Sequence, residues 1–134
     1  MIQTGRNFMA EKAHILLFHV EQGKAGQIEN ICRNLGIQAM RIKPSSYAQK
    51  LGYLAGITGF QRENTTYTGL DFPSEMMVFS GMDSDMLDCF LDEYKKAFIP
   101  PIGLKAVLTP HNIFWSAKEL YRELSKEHQM YQKV

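Results

Sequence analysis

Two short runs, residues 14–20 (HILLFHV) and 75–81 (EMMVFSG), are apolar at nearly every position. Neither alternates, so neither suits a strand with one wet face. A short, continuously apolar strand is one covered on both faces. Each run is followed by an amphipathic helical pattern. In the first, Ala25, Ile28, Ile31, Cys32 and Leu35 recur at steps of three and four, and Gly36 is placed as the stop. In the second, Met86, Leu87, Phe90, Leu91, Tyr94 and Phe98 form the buried stripe, with Asp83 or Ser84 as the cap. Its acids come early and its lysines late, which suits the helix dipole. Pro100 and Pro101 end it.

The remaining segments complete two similar units. QAMRIK (38–43) alternates Met40 and Ile42 against Arg41 and Lys43, as an edge strand does. IGLKAVLT (102–109) is the fourth strand. SSYAQKLGYLAG (45–56) predicts a helix with Ser46 and Gln49 at capping-box spacing, weakened by Gly52 and ended by Gly56. A last helix starts near Ser116, with Glu119 completing another capping box, and runs to about Tyr131. Residues 57–73 are polar and Gly-punctuated, the longest irregular segment and a candidate mobile loop or lid. Residues 1–12 show no period and read as an N-terminal tail, leaving 13–134 as a single α/β domain.

The order β-α-β-α-loop-β-α-β-α fits a four-stranded, mostly parallel sheet with helices on both faces and strand order 2-1-3-4. A ferredoxin-like α+β sheet, order 4-1-3-2, is the alternative. The ferredoxin-like fold joins its second and third strands by a hairpin. Here about 30 residues carrying a helix stand between them, which looks like a parallel crossover. The choice has a consequence for chemistry. In a parallel sheet the carboxyl ends of all four strands share one edge, where ligands bind at a reversal of strand order. That edge gathers Glu21, Gln22, Ser45, Ser46, Ser80, Asp83, Thr109, His111 and Asn112. If strands one and two end opposite strands three and four, the set splits in half.

Composition narrows the function classes. A net charge of +1 removes the broad electrostatic footprint of a nucleic-acid binder. No apolar run approaches the ~18 residues of a membrane span, and AHILLFHV makes a poor signal-peptide core. A cytoplasmic protein is expected. Both cysteines, Cys32 and Cys89, fall in amphipathic helical patterns and read as small buried hydrophobes with reduced thiols.

No motif supplies a complete chemical site. EQGKAG (21–26) lacks the upstream glycine and following Ser or Thr of a phosphate-cradling loop. His14 and His19 point to opposite faces of one strand, and no histidine pair has zinc-site spacing, so neither metal nor cofactor is expected. Ser80 in FSGMD follows a strand but lacks the glycines of a nucleophile elbow; His111 and Asp83 are its only candidate base and orienter. Thr109-Pro110-His111-Asn112 reads first as a turn: Pro110 biases Thr109 to extended backbone, and Asn112 favours local bonds. The functional alternative makes Thr109, His111 and Asn112 ligand-facing beside Trp115 and Lys105. Lys105 lies either on an exposed face or against an acid.

YAQKLGYLAG, EMMVFSGM and PPIGLKAVLTPHNIFW, with the trailing ELYRELSKEH, resemble a small bacterial domain family known as domain of unknown function 3783. The resemblance spans roughly residues 13–130. It implies a stand-alone bacterial, cytoplasmic domain and carries no activity, cofactor or catalytic residues. The expected function is a small binding or regulatory module without evident catalytic machinery, with an unknown protein partner or self-association, and no nucleic acid or membrane. The alternative is a small-molecule binder or enzyme using the carboxyl edge of the sheet through Glu21, Ser80, Asp83, Thr109, His111, Asn112 and Trp115.

Overall fold

The two continuously apolar runs become the two central strands of a four-stranded sheet. The computed structural model describes residues 12–132, so residues 1–11 of the expected tail lie outside the described part. The elements are β1 (His14–Phe18), α1 (Gln22–Leu35), β2 (Gln38–Ile42), α2 (Leu51–Leu54), β3 (Met76–Ser80), α3 (Ser84–Lys96), β4 (Leu104–Val107) and α4 (Ala117–Gln132). Single 3-10 turns occupy Pro44–Ser46 and Asn112–Phe114.

The sheet order is β2-β1-β3-β4. β1–β2 and β3–β4 pair parallel, whereas β1 and β3 pair antiparallel. The mostly parallel α/β sheet and its order agree with the sequence. The expectation of one common carboxyl edge does not survive the central pairing. The long β2–β3 connection leaves the carboxyl end of β2 and re-enters beside Phe18, whose partner is Met76. It returns to the edge it left, as a hairpin does. Length permits a crossover but does not impose one.

Helices cover both faces, so successive strand residues enter different cores. Ile15 and Leu17 join Met77 and Phe79 under α1 and α3, with Ile28, Cys32, Phe90 and Tyr94. Leu16, Phe18, Met76 and Val78 face the other layer, with Tyr47, Leu51, Leu54, Phe72, Ile113 and Leu120. This period-two split explains why no alternation is visible in either run.

The antiparallel centre makes the two halves nearly equivalent by a two-fold rotation. Its axis passes through the Leu16–Val78 pair, with His14 opposite Ser80 and Phe18 opposite Met76. At one constant shift along the chain, Glu21 corresponds to Asp83, and each carboxylate caps its helix. His19 (φ 59°) corresponds to Gly81 (φ 69°), and Gly36 (φ 74°) to Phe98 (φ 57°). Ile37 and Ile99 follow, both buried. Past an insertion at Pro100–Gly103, Tyr47 corresponds to Ile113 and Lys50 to Ser116, as the sheet registers require. Lys50 and Ser116 form an isolated antiparallel bridge, a second contact on the axis. Around it the Leu51 amide donates to the Trp115 carbonyl (2.8 Å) and the Ala117 amide to the Gln49 carbonyl (3.3 Å).

Most boundaries follow the sequence signals. Gly36 ends α1 in the left-handed region, Asp83 caps α3, and Ser116 and Glu119 bond reciprocally at α4. The helix expected over 45–56 shrinks to one turn. Gln49 is buried and clamps the following loop instead of capping: its amide donates to the Glu63 and Thr65 carbonyls and accepts from the Glu63 amide. The 57–73 segment, read as a mobile loop or lid, is anchored to the core at Glu63, Thr65 and Phe72. Phe72 stacks between Tyr47 (3.9 Å) and Tyr121 (4.1 Å). Cys32 is buried as expected, and its burial pushes the thiol up to about 12; Cys89 is exposed, because its stripe turns away from the sheet.

Gly52 carries a testable role. A Cβ there would lie 2.6 Å from the Phe60 ring. Helix propensity alone predicts that Gly52→Ala stabilises α2 by up to ~1 kcal/mol. Overpacking predicts the opposite sign, a loss of about 1–3 kcal/mol as Phe60 is displaced. Urea denaturation of the variant should show the loss.

Candidate functional site

The topology creates two crevices, one at each end of the sheet. After β1 the chain turns to α1 on one face; after β2 it turns to the 3-10 turn and α2 on the other. Divergent connections from neighbouring parallel strands open a crevice at their carboxyl ends. The β3–β4 pair repeats the arrangement at the opposite end.

In the first crevice a cavity of about 220 Å³ is lined by Leu17, Val20, Ala25, Ile42 and Pro44, with His19, Gln22, Arg41, Tyr47 and Asp71 as its polar groups. The residues equivalent to Leu17, Val20, Ala25, Arg41, Ile42 and Tyr47 in the other half are Phe79, Met82, Leu87, Val107, Leu108 and Ile113. Every polar lining position with a counterpart, Gln22 apart, becomes glycine or apolar there. The polar lining of this cavity is therefore largely unmatched in the β3–β4 half.

His19 is the centre of this group. It leaves β1 in the left-handed region, an uncommon conformation for a residue with a side chain. Its Nδ1 lies 2.9 Å from Asp71 Oδ2. Asp71 Oδ1 accepts from the Tyr47 hydroxyl (2.7 Å) and the Phe72 amide (2.7 Å). An ionised carboxylate can only accept, so Nδ1 carries the proton and Nε2 is left for a ligand. Burial pushes the Asp71 carboxyl up, but the hydrogen bonds from Tyr47, His19 and Phe72 outweigh it and hold it below its ordinary value. Burial, then the Asp71 contact, pushes the Tyr47 hydroxyl well up, so it remains a donor.

The start of α1 is already occupied. Glu21 accepts from the Gly23 and Lys24 amides (both 2.8 Å), and these bonds lower its carboxyl. Lys24 Nζ lies 2.6 Å from Glu75, which also accepts the Glu21 amide. These first-turn donors are unavailable to a phosphate.

The residues singled out from sequence divide between the two ends. Glu21 lies at the β1–β2 end; Ser80, Asp83, Thr109, His111, Asn112 and Trp115 belong to the β3–β4 end. Ser80 is buried. Asp83 caps α3 through the Met86 amide (2.8 Å). Thr109 Oγ1 accepts from the His111 and Asn112 amides, while Asn112 accepts from the Thr109 amide and donates to the Val107 carbonyl. The His111 ring packs edge-on against Trp115 at 5.4 Å. These contacts build the turn read from the sequence. Lys105 is exposed and donates to the Ile102 carbonyl (2.8 Å).

Residues 75–131 match the family model of a domain of unknown function, DUF3783. The match takes in EMMVFSGM, PPIGLKAVLTPHNIFW and ELYRELSKEH, and leaves out YAQKLGYLAG. The DUF3783 segment is thus β3-α3-β4-α4, one half of the pseudo-two-fold fold. The His19 crevice is built on the other half. The chain matches no curated protein and no solved structure.

His19, Asp71 and Tyr47 were not singled out as a site from the sequence. Asp71 is remote along the chain, and only the course of the loop brings it to His19. Comparing the chain with itself could have found His19, because HILLFHV and MMVFSGM align without a gap and set it opposite Gly81.

The depressed Asp71 carboxyl gives a pH prediction. Its contribution is complete above the unfolded value, about 4, and fades as pH falls through the lower folded value. Wild type should be more stable than Asp71→Asn at pH 7. The difference in thermal midpoint should shrink below about pH 4. A difference that stays constant into acid would show that the charge is not what stabilises the loop.

Proposed function

We propose that the chain is a small, non-catalytic binding or regulatory module whose ligand site is the β1–β2 crevice. One observation carries this reading. The fold makes the same left-handed step twice, with glycine at Gly81 and with histidine at His19. Strain of about 1–3 kcal/mol held at one place, where a strain-free residue serves equally well at the other, points to a role beyond folding. Asp71 sets the ring's tautomer, and Nε2 accepts a hydrogen bond from the ligand, or donates one when protonated. Leu17, Val20, Ile42 and Pro44 offer an apolar bed beside it. The ligand this suits is a small organic molecule with a polar head and an apolar body. The filled helix start argues against a nucleotide phosphate. The family resemblance supports a bacterial, cytoplasmic setting, and the near-neutral charge supports a partner other than nucleic acid.

The test is a thermal-shift screen with amino acids, small carboxylates, sugar phosphates and nucleotides, run on wild type and His19→Gly in parallel. A ligand at ~100 times its dissociation constant adds about 2.7 kcal/mol, a rise of several degrees. The variant loses the exposed His19–Asp71 hydrogen bond, worth about 0.5–1.5 kcal/mol, and sheds strain of about 1–3 kcal/mol, so its own midpoint should lie at or above that of wild type. A ligand that shifts wild type and not the variant is the expected result. A ligand that shifts both equally would place binding elsewhere.

A further inference from the structure

The two-fold comparison singles out a second surface, at the outer edge of the DUF3783 segment. Between α1 and β2 on the first half, Glu29 and Arg41 form a two-pronged ion pair (2.7 and 2.8 Å) that bridges helix and strand. Their equivalents between α3 and β4 are Leu91 and Val107, two apolar residues. These two cannot form that ion pair, and a groove of about 390 Å³ opens beside Leu91. Met77, Leu91, Tyr94 and Ile102 line it, with Asp88 and Asp92 along the helix and Lys95 and Lys105 also at its margin. Val107, on the same face as Phe79 beneath α3, is 45% exposed.

Phe98 does not line the groove but lies midway along the chain between two residues that do, three from Lys95 and three from Pro101. Expected in the buried stripe of α3, it falls two residues past the end of that helix and is instead 91% exposed and left-handed, with φ 57°. Its equivalent, Gly36, makes the same turn after α1 without a side chain. Folding therefore gains nothing from the ring. A bulky residue is strained in this conformation, and its apolar surface is left in water.

We propose that this face is a self-association surface, on which Phe98 of one copy enters the groove of a second copy of this chain and is met by the reciprocal contact. One patch carries both the knob and the hole, as an isologous two-fold interface requires. It also carries both signs of charge, so rotating a copy about a two-fold can set acids against lysines. A partner of one sign would leave half of these groups facing like charge. An exposed aromatic beside an apolar pocket supplies the anchor that such interfaces concentrate at their centre.

Sedimentation equilibrium of the full chain tests this. The expected result is a monomer–dimer equilibrium in the micromolar range or tighter. Phe98→Gly should weaken it at least tenfold, with a thermal midpoint of the monomer equal to or above wild type. A second variant, Leu91→Glu with Val107→Arg, transplants the ion pair that closes the equivalent groove and should also give a monomer. Wild type that stays monomeric at every concentration overturns the proposal, whether residues 1–11 or an unlike partner then fills the groove. A dimer equally tight in wild type and both variants overturns it as well.

Discussion

The antiparallel contact between β1 and β3 is the interaction on which the rest of the structure depends. Both strands are apolar on both faces, so the binary pattern alone sets their register only weakly. A slip of one residue would exchange two sets of similar side chains between the cores. Register is held instead from outside the sheet. The bridge between Lys50 and Ser116 lies on the same two-fold axis as the Leu16–Val78 pair, one layer away. Two contacts on one axis fix the halves against both sliding and rotation. The Leu51 and Ala117 amides, bonded across it, tie the second seam to the starts of α2 and α4.

A near-symmetric scaffold supplies its own controls. Wherever the halves share a backbone conformation but differ in side chain, the simpler residue shows what folding requires. Gly81 and Gly36 show that neither left-handed turn needs a side chain; His19 and Phe98 are additions to them. Glu29 with Arg41 shows how a helix can be closed onto an edge strand; Leu91 with Val107 leaves that closure open. The helix caps tell the opposite story. Glu21 and Asp83 remain acids at equivalent positions because each helix start needs an acceptor for its free amides. Divergence at the turns and agreement at the caps separate what the two halves have specialised from what the fold demands.

Local chemistry was legible in the sequence because its causes are local. Gly36, Asp83 and the Ser116–Glu119 pair act within four residues and mark their boundaries directly. The apolar runs announced buried strands, and the resemblance between the two units announced their common layout. The direction of β3 was not legible. Helix caps and apolar stripes are unchanged when a whole unit is turned end for end, and a long connection can close on either edge. The same blindness hid the His19–Asp71 contact, which depends on where the 57–73 segment comes to rest. Gln49 shows the limit on a smaller scale. Its spacing from Ser46 suits a cap, yet a buried amide gains more by holding three backbone groups of the loop.

That loop is what breaks the symmetry, and it does so at the crevice. Among the described residues the chain after β4 is taken up by a 3-10 turn and α4, so the other end of the sheet acquires no counterpart of Asp71. Its position is set one residue further on. Phe72 is buried and stacked between Tyr47, from the β1–β2 half, and Tyr121, on α4 of the DUF3783 half. Tyr121 also accepts the Ser74 amide (3.1 Å). Both halves therefore hold the segment that carries the carboxylate. The DUF3783 half lends the crevice a rigid backing without contributing to its lining, while Tyr47 reaches past the stack to donate to Asp71 itself. Tyr121 is joined to His19 through Phe72 and Asp71, along a chain of direct contacts. The site's geometry is thus a property of the whole two-fold assembly, although its chemistry sits on one side of it.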